Sequence, residues 1–330
     1  MKALMSGQRP LSPERVAAAL NVIDPVFLGS PLLSSAELDS RTGLSIKAKL
    51  ETRNPIHSFK GRGTSLFVRT ADLPGSEIVA ASAGNFGQGL AYCGSRAGYG
   101  VTVFASTSAN TAKIEQMRRH GARIILAGAD LDAAKAEARA YAGEHNALFI
   151  EDGAEPSIAE GAGTIAAELT DECPDIDAIF VPLGNGALAT GVGCWFKSRS
   201  PRTKVIAVAA QGAPCMVLSW QKRQFTETAA ADTIADGIAV RVPVPYAVEC
   251  LRDTVDDVML VSDAEIIAAM RIAHESWGVE IEPAGAAGLA GILQRASGFA
   301  GAKVATVLCG SNLTSSQRST YFTVKNGGEA

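Results

Sequence analysis

The chain has 330 residues, of which 47% are hydrophobic and 19% are charged, and this length can bury the cores of two lobes. Its formal net charge of −4 gives no electrostatic reason to expect nucleic acid or an acidic membrane as a partner. No apolar run follows Lys2 and Arg9, and the six scattered cysteines contain no C-x-x-C pair. We therefore expect no signal peptide, reduced thiols and a cytoplasmic location. The four scattered histidines give little support to a metal site, and none is predicted.

Short apolar segments rich in β-formers alternate with alanine-rich segments of helical character along most of the chain. The predicted strands cover residues 45–50, 78–81, 101–105, 123–126, 147–150, 178–182, 205–209, 258–261 and 304–308. The predicted helices cover residues 85–97, 111–120, 131–143, 158–171, 264–276 and 286–295. This alternation predicts an α/β fold with two lobes, each a mostly parallel sheet wound with helices, and a cleft between them.

The strand-helix units of residues 73–150 are predicted to form the smaller lobe, and residues 1–72 and 151–330 the larger one. The larger lobe contains a charge-free stretch, residues 178–196, of nearly membrane-spanning length. Pro182, Asn185 and four glycines interrupt this stretch. It is therefore predicted to be a buried strand, loop and helix, and no contact with a membrane is expected.

Three segments carry residues suited to chemistry, and the first is residues 58–64, with the sequence SFKGRGT. Lys60 is predicted to open a helix, where the positive end of the macrodipole repels a cation. A lysine in such a position suggests that its amine has a function, either as an imine or as an amine that its surroundings hold uncharged. The alternative is an ordinary solvated lysine.

The second segment, residues 82–89 (SAGNFGQG), lies between a predicted strand and a predicted helix. Ser82 and Asn85 can cap the helix, and the free N–H groups of its first turn could instead bind a carboxylate. Taken alone, capping is the simpler explanation.

The third segment, residues 182–191 (PLGNGALATG), also connects a strand to a helix, and its glycines let backbone N–H groups approach a phosphate. No Gly-Lys-Ser/Thr follows, which excludes a nucleotide P-loop. The next strand ends in Ala209, Ala210 and Gln211, where a dinucleotide site would need an acid. The alternative is a turn that only packs a helix on a sheet.

In this order the three segments resemble the fold-type II pyridoxal-phosphate enzymes, whose fold is tryptophan synthase β-like. Within them, the chain is most similar to the threonine/serine dehydratases and their serine racemase relatives. The resemblance extends over about residues 25–312 and includes four further motifs, at residues 155–166, 233–238, 282–286 and 309–312.

The resemblance implies pyridoxal 5′-phosphate as the cofactor and a role for each matching residue. Lys60 would hold the cofactor as a Schiff base and later act as the base at Cα of the substrate, and Asn85 would bind the phenolic oxygen. The other implied cofactor-binding residues are Phe59, Gly184, Asn185, Gly186, Ala187, Leu188, Glu282 and Cys309. The implied substrate-binding residues are Ser82, Ala83, Gly84 and Gln88. The larger lobe would then be the cofactor-binding domain, and the smaller lobe the substrate-side domain.

The residue types narrow the expected reaction. A thiol with a reference pKa of about 8.5 is a weak partner for a pyridinium, so Cys309 favours elimination over transamination. Racemase relatives carry a serine at the position of Ala83, and metal-dependent relatives a glutamate at the position of Ala209, so neither property is expected here. Phe86 and Gly61 replace the usual histidine and a usually larger residue, which leaves the amino-acid substrate open. The chain ends at Ala330 without room for a regulatory domain, so no control by isoleucine is expected.

The leading hypothesis is α,β-elimination from a small β-hydroxy amino acid, L-threonine or L-serine, to a 2-oxo acid and ammonia, by a homodimer. One alternative is a lyase or β-replacement enzyme for a bulkier hydroxy amino acid or a diamino acid, and threonine synthase-like chemistry matches the motifs less well. Another alternative is a catalytically silent protein that binds pyridoxal phosphate.

Overall fold

The computed structural model describes residues 9–71, 77–107, 109 and 111–322. Within these ranges two sheets contain the strands, and helices cover both sheets. The strands are β1 (Leu32–Leu33), β2 (Ser45–Leu50), β3 (Glu77–Ala81), β4 (Gly100–Ala105), β5 (Arg123–Leu126), β6 (Leu148–Ile150), β7 (Ala178–Pro182), β8 (Lys204–Ala210), β9 (Asp257–Val261) and β10 (Lys303–Leu308).

The helices of the described residues surround these strands. They are α1 (Pro13–Ala19), α2 (Ala36–Thr42), α3 (Lys60–Thr70), α4 (Asn85–Arg96), α5 (Thr111–Arg119), α6 (Leu131–Glu144), α7 (Pro156–Glu172), α8 (Ala187–Arg199), α9 (Cys215–Lys222), α10 (Pro245–Thr254), α11 (Asp263–Trp277), α12 (Pro283–Gln294) and α13 (Ser315–Phe322). Short 3-10 turns cover Pro25–Phe27, Asp236–Ile238 and Ala296–Phe299.

The larger sheet has the order β1-β2-β10-β7-β8-β9, and every pairing in it is parallel except that of β1 with β2. Its central strand β7 is buried along its whole length. Ile179 and Val181 face a core that includes residues of α7, α8 and α10, whereas Phe180 faces one that includes residues of α11 and α12. A strand covered on both faces reads as a continuous apolar run, which is why this segment lacks charges.

The smaller sheet has the order β5-β4-β3-β6, is parallel throughout, and takes all its strands from residues 77–150. Because parallel strands end at one edge of their sheet, the segment after β3 and the segment after β6 lie side by side. The residues that follow the two strands include Ser82 and Asp152.

The predicted α/β fold with two mostly parallel sheets is confirmed, and each predicted strand and helix is present with ends shifted by up to three residues. The charge-free stretch 178–196 is the predicted strand, loop and helix, and no helix of the described residues is long and apolar enough to cross a membrane. The prediction omitted the two-residue β1 and the short helices α1, α2, α9, α10 and α13. Seven to ten residues give too few turns for a clear helical period.

The predicted boundary at residues 72 and 73, the N-terminal segment 1–8 and residues 323–330 lie outside the described residues.

Candidate active site

A cavity of about 280 Å³ lies between the two sheets and brings together most of the residues that the motifs singled out. Thirteen of the fourteen predicted site residues line it: Phe59, Lys60, Ser82, Ala83, Gly84, Asn85, Gly184, Asn185, Gly186, Ala187, Leu188, Glu282 and Cys309. Gln88 is not among the lining residues. It is buried on α4, and its Nε2 has no hydrogen-bond partner among the described residues.

Lys60 is the first residue of α3, as predicted, and its amine points into the cavity. The Nζ atom lies 2.7 Å from Oδ1 and 2.6 Å from Oδ2 of Asp152, and 4.8 Å from the centroid of the Phe59 ring. The start of α3 is held against the larger sheet because the Phe59 N–H donates to the Cys309 carbonyl at 3.0 Å. The lysine is therefore a paired, mostly buried group, and the alternative of a solvated surface lysine does not describe it.

Asp152 was missed by the sequence analysis, and a signal for it was present. It follows a strand of the same parallel sheet as the Ser82–Asn85 segment, and the ends of such strands converge. Its other partner is the Asn185 amide, which donates from Nδ2 to Oδ2 at 3.2 Å. Gly153, with φ of +83°, brings this turn against the Asn185 backbone, where a Cβ would lie 2.2 Å from the carbonyl oxygen.

The glycine-rich segment between β7 and α8 has the form of an anion site. Gly186 takes the left-handed conformation with φ of +98°, and α8 begins at Ala187 without a side-chain cap. The first N–H groups of this helix thus have no side chain to accept from them, and the macrodipole adds positive potential there. A Cβ on Gly186 would lie 2.6 Å from the Ala247 methyl, so a glycine is also required by packing. The segment can hold a phosphate.

Ser82 precedes α4 by three residues, Asn85 is the first residue of α4, and their side chains have different partners. The Ser82 Oγ accepts from the N–H groups of Gly84 at 3.2 Å and Gly87 at 3.0 Å, so Ser82 caps the start of the helix as the sequence suggested, whereas the Asn85 side chain bonds Glu282 and Asn312 instead. Ala83 and Gly84 also line the cavity. A substrate carboxylate there could accept hydrogen bonds from the Ser82 hydroxyl and from the remaining N–H groups of the turn.

Asn85 belongs to a partly buried network with Glu282 and Asn312. Its Nδ2 donates to Glu282 Oε1 at 2.7 Å, its Oδ1 accepts from Asn312 Nδ2 at 2.8 Å, and the Asn312 N–H donates to Glu282 Oε2 at 3.0 Å. Burial, reinforced by the charge of Asp236 and opposed by Lys113, raises the pKa of Glu282 to about 7. Asn85 is thereby held rigidly at the cavity wall, next to a carboxyl group that can carry a proton near neutral pH.

Cys309 lies at the end of β10 with its side chain buried, and its thiol is 3.8 Å from the Ala284 carbonyl oxygen. Burial, together with the nearby charge of Glu282, raises the pKa of this thiol well above its usual range. The group facing the cavity at this position is therefore a neutral thiol.

Two ion pairs connect helices beside the smaller sheet with residues 236–241, and one of the pairs lies at the cavity. Lys113 on α5 pairs with Asp236 of the 3-10 turn, and both line the cavity; Arg241 pairs with Asp132 on α6. None of these four side chains was predicted from the sequence to belong to the site. Each pair connects residues more than 100 positions apart, so only the folded chain reveals them.

Gly61 and Phe86, the two residues that differ from those usual in the resembling enzymes, differ in whether they line the cavity. A Cβ on Gly61 would lie 2.1 Å from the ring of Phe27, so a buried phenyl group occupies the space of the larger residue expected there. Gly61 is not among the cavity-lining residues, whereas Phe86 is, with its ring centroid 5.7 Å from the Lys60 amine. Of the two, only Phe86 can contact a substrate.

The family described as "Pyridoxal-phosphate dependent enzyme" matches residues 23–310. The L-threonine ammonia-lyase of Thermotoga maritima is 33% identical over 304 residues, which cover 91% of this chain and 75% of that protein. The L-threonine dehydratase biosynthetic IlvA of Haemophilus influenzae is 31% identical over 320 residues, 95% of this chain and 62% of the relative. For the IlvA of Pasteurella multocida, at 33% identity, the shares are 86% and 56%, so the chain spans little more than half of some of its relatives.

Solved structures are similar over nearly the whole chain. The processed form of threonine deaminase isoform 2 from Solanum lycopersicum superimposes with a TM-score of 0.87 at 27% identity, covering 95% of this chain and 89% of that one. Maize serine racemase gives a TM-score of 0.88 at 26% identity, covering 93% and 95%.

Proposed function

The chain belongs to the family of pyridoxal-phosphate-dependent enzymes, and from this premise we propose that it is an ammonia-lyase for a small β-hydroxy amino acid, L-threonine or L-serine. The products are a 2-oxo acid and ammonia. The family predicted from the motifs is confirmed, and with it the cofactor, pyridoxal 5′-phosphate. The observation that carries the proposed reaction is the Lys60 amine inside the cavity that also contains the uncapped glycine loop.

The residues of the cavity fit this cofactor. The Gly184–Leu188 segment suits the phosphate because its backbone N–H groups can donate to the phosphate oxygens. Its glycines also leave open the space that a Cβ would fill. Lys60 offers the amine, Asn85 an amide donor for the phenolic oxygen, and Phe59 and Cys309 complete the wall. We assign Glu282 the role of holding Asn85 in place.

When bound, the cofactor supplies the electron sink that makes the Cα–H bond of an amino acid acidic. Ser82, Ala83 and Gly84 bind the substrate carboxylate at the start of α4 and so fix Cα in the cavity. The Lys60 amine accepts the proton from Cα. The neutral Cys309 thiol would be a weak partner for a protonated pyridine ring, and this favours elimination over transamination.

The same proposal covers the organisation of the molecule. Residues 73–150 form the substrate-side domain and residues 1–72 and 151–330 the cofactor-binding domain, supported by a smaller sheet built from residues 77–150 alone. A cytoplasmic location is supported by six free, buried cysteines among the described residues. The assignment as a homodimer is supported by the family resemblance.

The test is release of 2-oxo acid from L-threonine and L-serine by the purified, cofactor-loaded protein, with Lys60→Ala as the matched control. We expect product from at least one of the two amino acids and none from the variant. Equal product from Lys60→Ala would contradict the role of Lys60. No product from either amino acid, with the cofactor bound, would refute the substrate assignment and favour a different amino acid or a catalytically silent protein.

A further inference from the structure

Three carboxylates line the cavity among the described residues, and they have different surroundings. Asp236 is about half exposed and is paired with Lys113. Glu282 is 3% exposed and is hydrogen-bonded to Asn85 and to the Asn312 N–H. Asp152 contacts neither network, and it alone of the three pairs with the Lys60 amine.

Asp152 is placed for proton transfer and is held there from two sides. Both of its oxygens are within 2.7 Å of the Lys60 Nζ, and its side chain is 13% exposed. The Asn185 amide, part of the glycine loop, donates to Oδ2, and the Gly153 turn presses the segment against the backbone of that loop. The carboxylate thus lies between the amine and the glycine loop that we assign to the phosphate.

We propose that Asp152 is the general acid that protonates the departing hydroxyl group, receiving its proton from Lys60. This proposal rests on the elimination proposed above. Hydroxide is a poor leaving group, so breaking a Cβ–O bond needs a proton donor, and a positioned side chain supplies this more effectively than bulk water. A substrate fixed at Ser82–Asn85 shares the cavity with both Lys60 and Asp152.

The protons and electrons balance over one turnover. The Cα–H bond breaks, and its proton forms an N–H bond on Lys60. One proton passes from Nζ to the Asp152 carboxylate across the 2.6 Å contact. The electron pair from the Cα–H bond forms the Cα=Cβ bond, the Cβ–O bond breaks, and the departing oxygen takes the proton from Asp152 and leaves as water. Lys60 and Asp152 end in the protonation states in which they began.

The experiment compares two substrates that give the same product and differ only in the leaving group. L-serine must lose hydroxide, whereas β-chloro-L-alanine loses chloride, which leaves without a proton. In Asp152→Asn, which keeps the size and a hydrogen-bonding side chain, we expect kcat for L-serine to fall about 10²-fold or more. We expect kcat for β-chloro-L-alanine to fall far less than that for L-serine, because chloride leaves without a proton, and the visible absorption of the bound cofactor to stay close to that of the wild type.

The matched control is Glu151→Gln. Glu151 precedes Asp152 and has ion pairs with Lys135 at 2.8 Å and with Arg139, and it does not line the cavity. Its substitution should leave both substrates unaffected. Asp152→Glu retains an acid and should recover part of the L-serine turnover that Asp152→Asn loses.

The possible outcomes separate this proposal from the one on which it rests. An equal loss for both substrates in Asp152→Asn, or no loss for either, would overturn the assignment of Asp152 as the acid. Loss of cofactor absorption in both Asp152→Asn and Asp152→Glu would also overturn it, because Asp152 would then serve to hold the site. If the wild type eliminates chloride but dehydrates neither L-threonine nor L-serine, the proposed function itself fails, and the acid role fails with it.

Discussion

Arg62 lies outside the cavity, and the structure predicts that its loss is strongly destabilising. It lies two positions after Lys60 on α3 and is completely buried. Its guanidinium donates to both oxygens of Glu51, at 2.8 Å each, and to both oxygens of Glu168, at 2.8 and 2.9 Å. Substitution by methionine keeps much of the volume and leaves two carboxylates without their main partner.

The size of the effect follows from burial and charge. Removing one partner of a buried ion pair costs about 3–5 kcal/mol, because the other charge stays desolvated. An independent figure comes from the pKa of Glu168, which burial raises, but which Arg62, the Gly29 N–H and Lys49 together lower from 4.5 to about 2. At about 1.4 kcal/mol per pH unit this shift corresponds to about 3.5 kcal/mol, an upper bound for Arg62 because the other two groups contribute and because solvent screens a carboxylate that is 13% exposed. We expect Arg62→Met to lower the free energy of unfolding by about 3 kcal/mol.

The assay is urea unfolding at pH 7, followed by far-UV circular dichroism, for wild type, Arg62→Met and Arg69→Met. Arg69 lies on the same helix, but its pair with Asp24 is about half exposed, so its loss should cost less than about 1 kcal/mol. A similar small loss for both variants would refute the view that the buried network anchors the helix carrying Lys60.

Two further predictions concern helix packing and pH. In Gly191→Ala the new Cβ would lie 1.9 Å from the Ala159 carbonyl oxygen, where α8 crosses α7, and we expect the free energy of unfolding to fall by about 3 kcal/mol or more. Gly143→Ala on α6 is the control, because the space around Gly143 is open, and we expect it to raise the free energy of unfolding by up to about 1 kcal/mol. Thermal unfolding of the two variants and the wild type measures both effects. The pKa of Glu282 is about 7 in the folded protein, against an ordinary value of 4.5 for the unfolded chain. The protonated form of Glu282 therefore stabilises the fold below pH 4.5, and this stabilisation is lost as the pH rises through 7. The stability of the wild type should therefore fall relative to that of Glu282→Gln between pH 5 and pH 8 in urea titrations, and parallel pH profiles would contradict the buried-acid assignment.

Much of the fold was predictable because its signals are local. β7 is covered on both faces and so reads as an uninterrupted apolar run, and the turn at Gly184–Gly186 needs glycine for both conformation and packing. The short helices α1 and α2 were not predicted, although Ser12 and Ser35 cap them, because a cap without a long periodic segment is a weak signal.

The site residues that belong to sequence motifs could be predicted, whereas those whose place depends on partners far along the chain could not. Lys60 and Asn85 were found through segments with a distinctive order along the chain. Asp152 follows a predicted strand, which is a signal for a site at the edge of a sheet, but the sequence does not show that β6 lies beside β3 or that Lys60, 92 positions away, approaches this edge. Gln88 was also singled out through such a segment but is not among the residues that line the cavity, so its role in substrate binding stays a prediction.

The most direct test of the central claim is to identify the lysine that holds the cofactor. The loaded protein is reduced with borohydride, digested and analysed by mass spectrometry. Lys113, the other lysine lining the cavity, is an internal comparison because it is buried and paired with Asp236. We predict that the added mass of the reduced cofactor lies on Lys60 alone. Its appearance on Lys113, or an unmodified Lys60 in a loaded protein, would contradict the account.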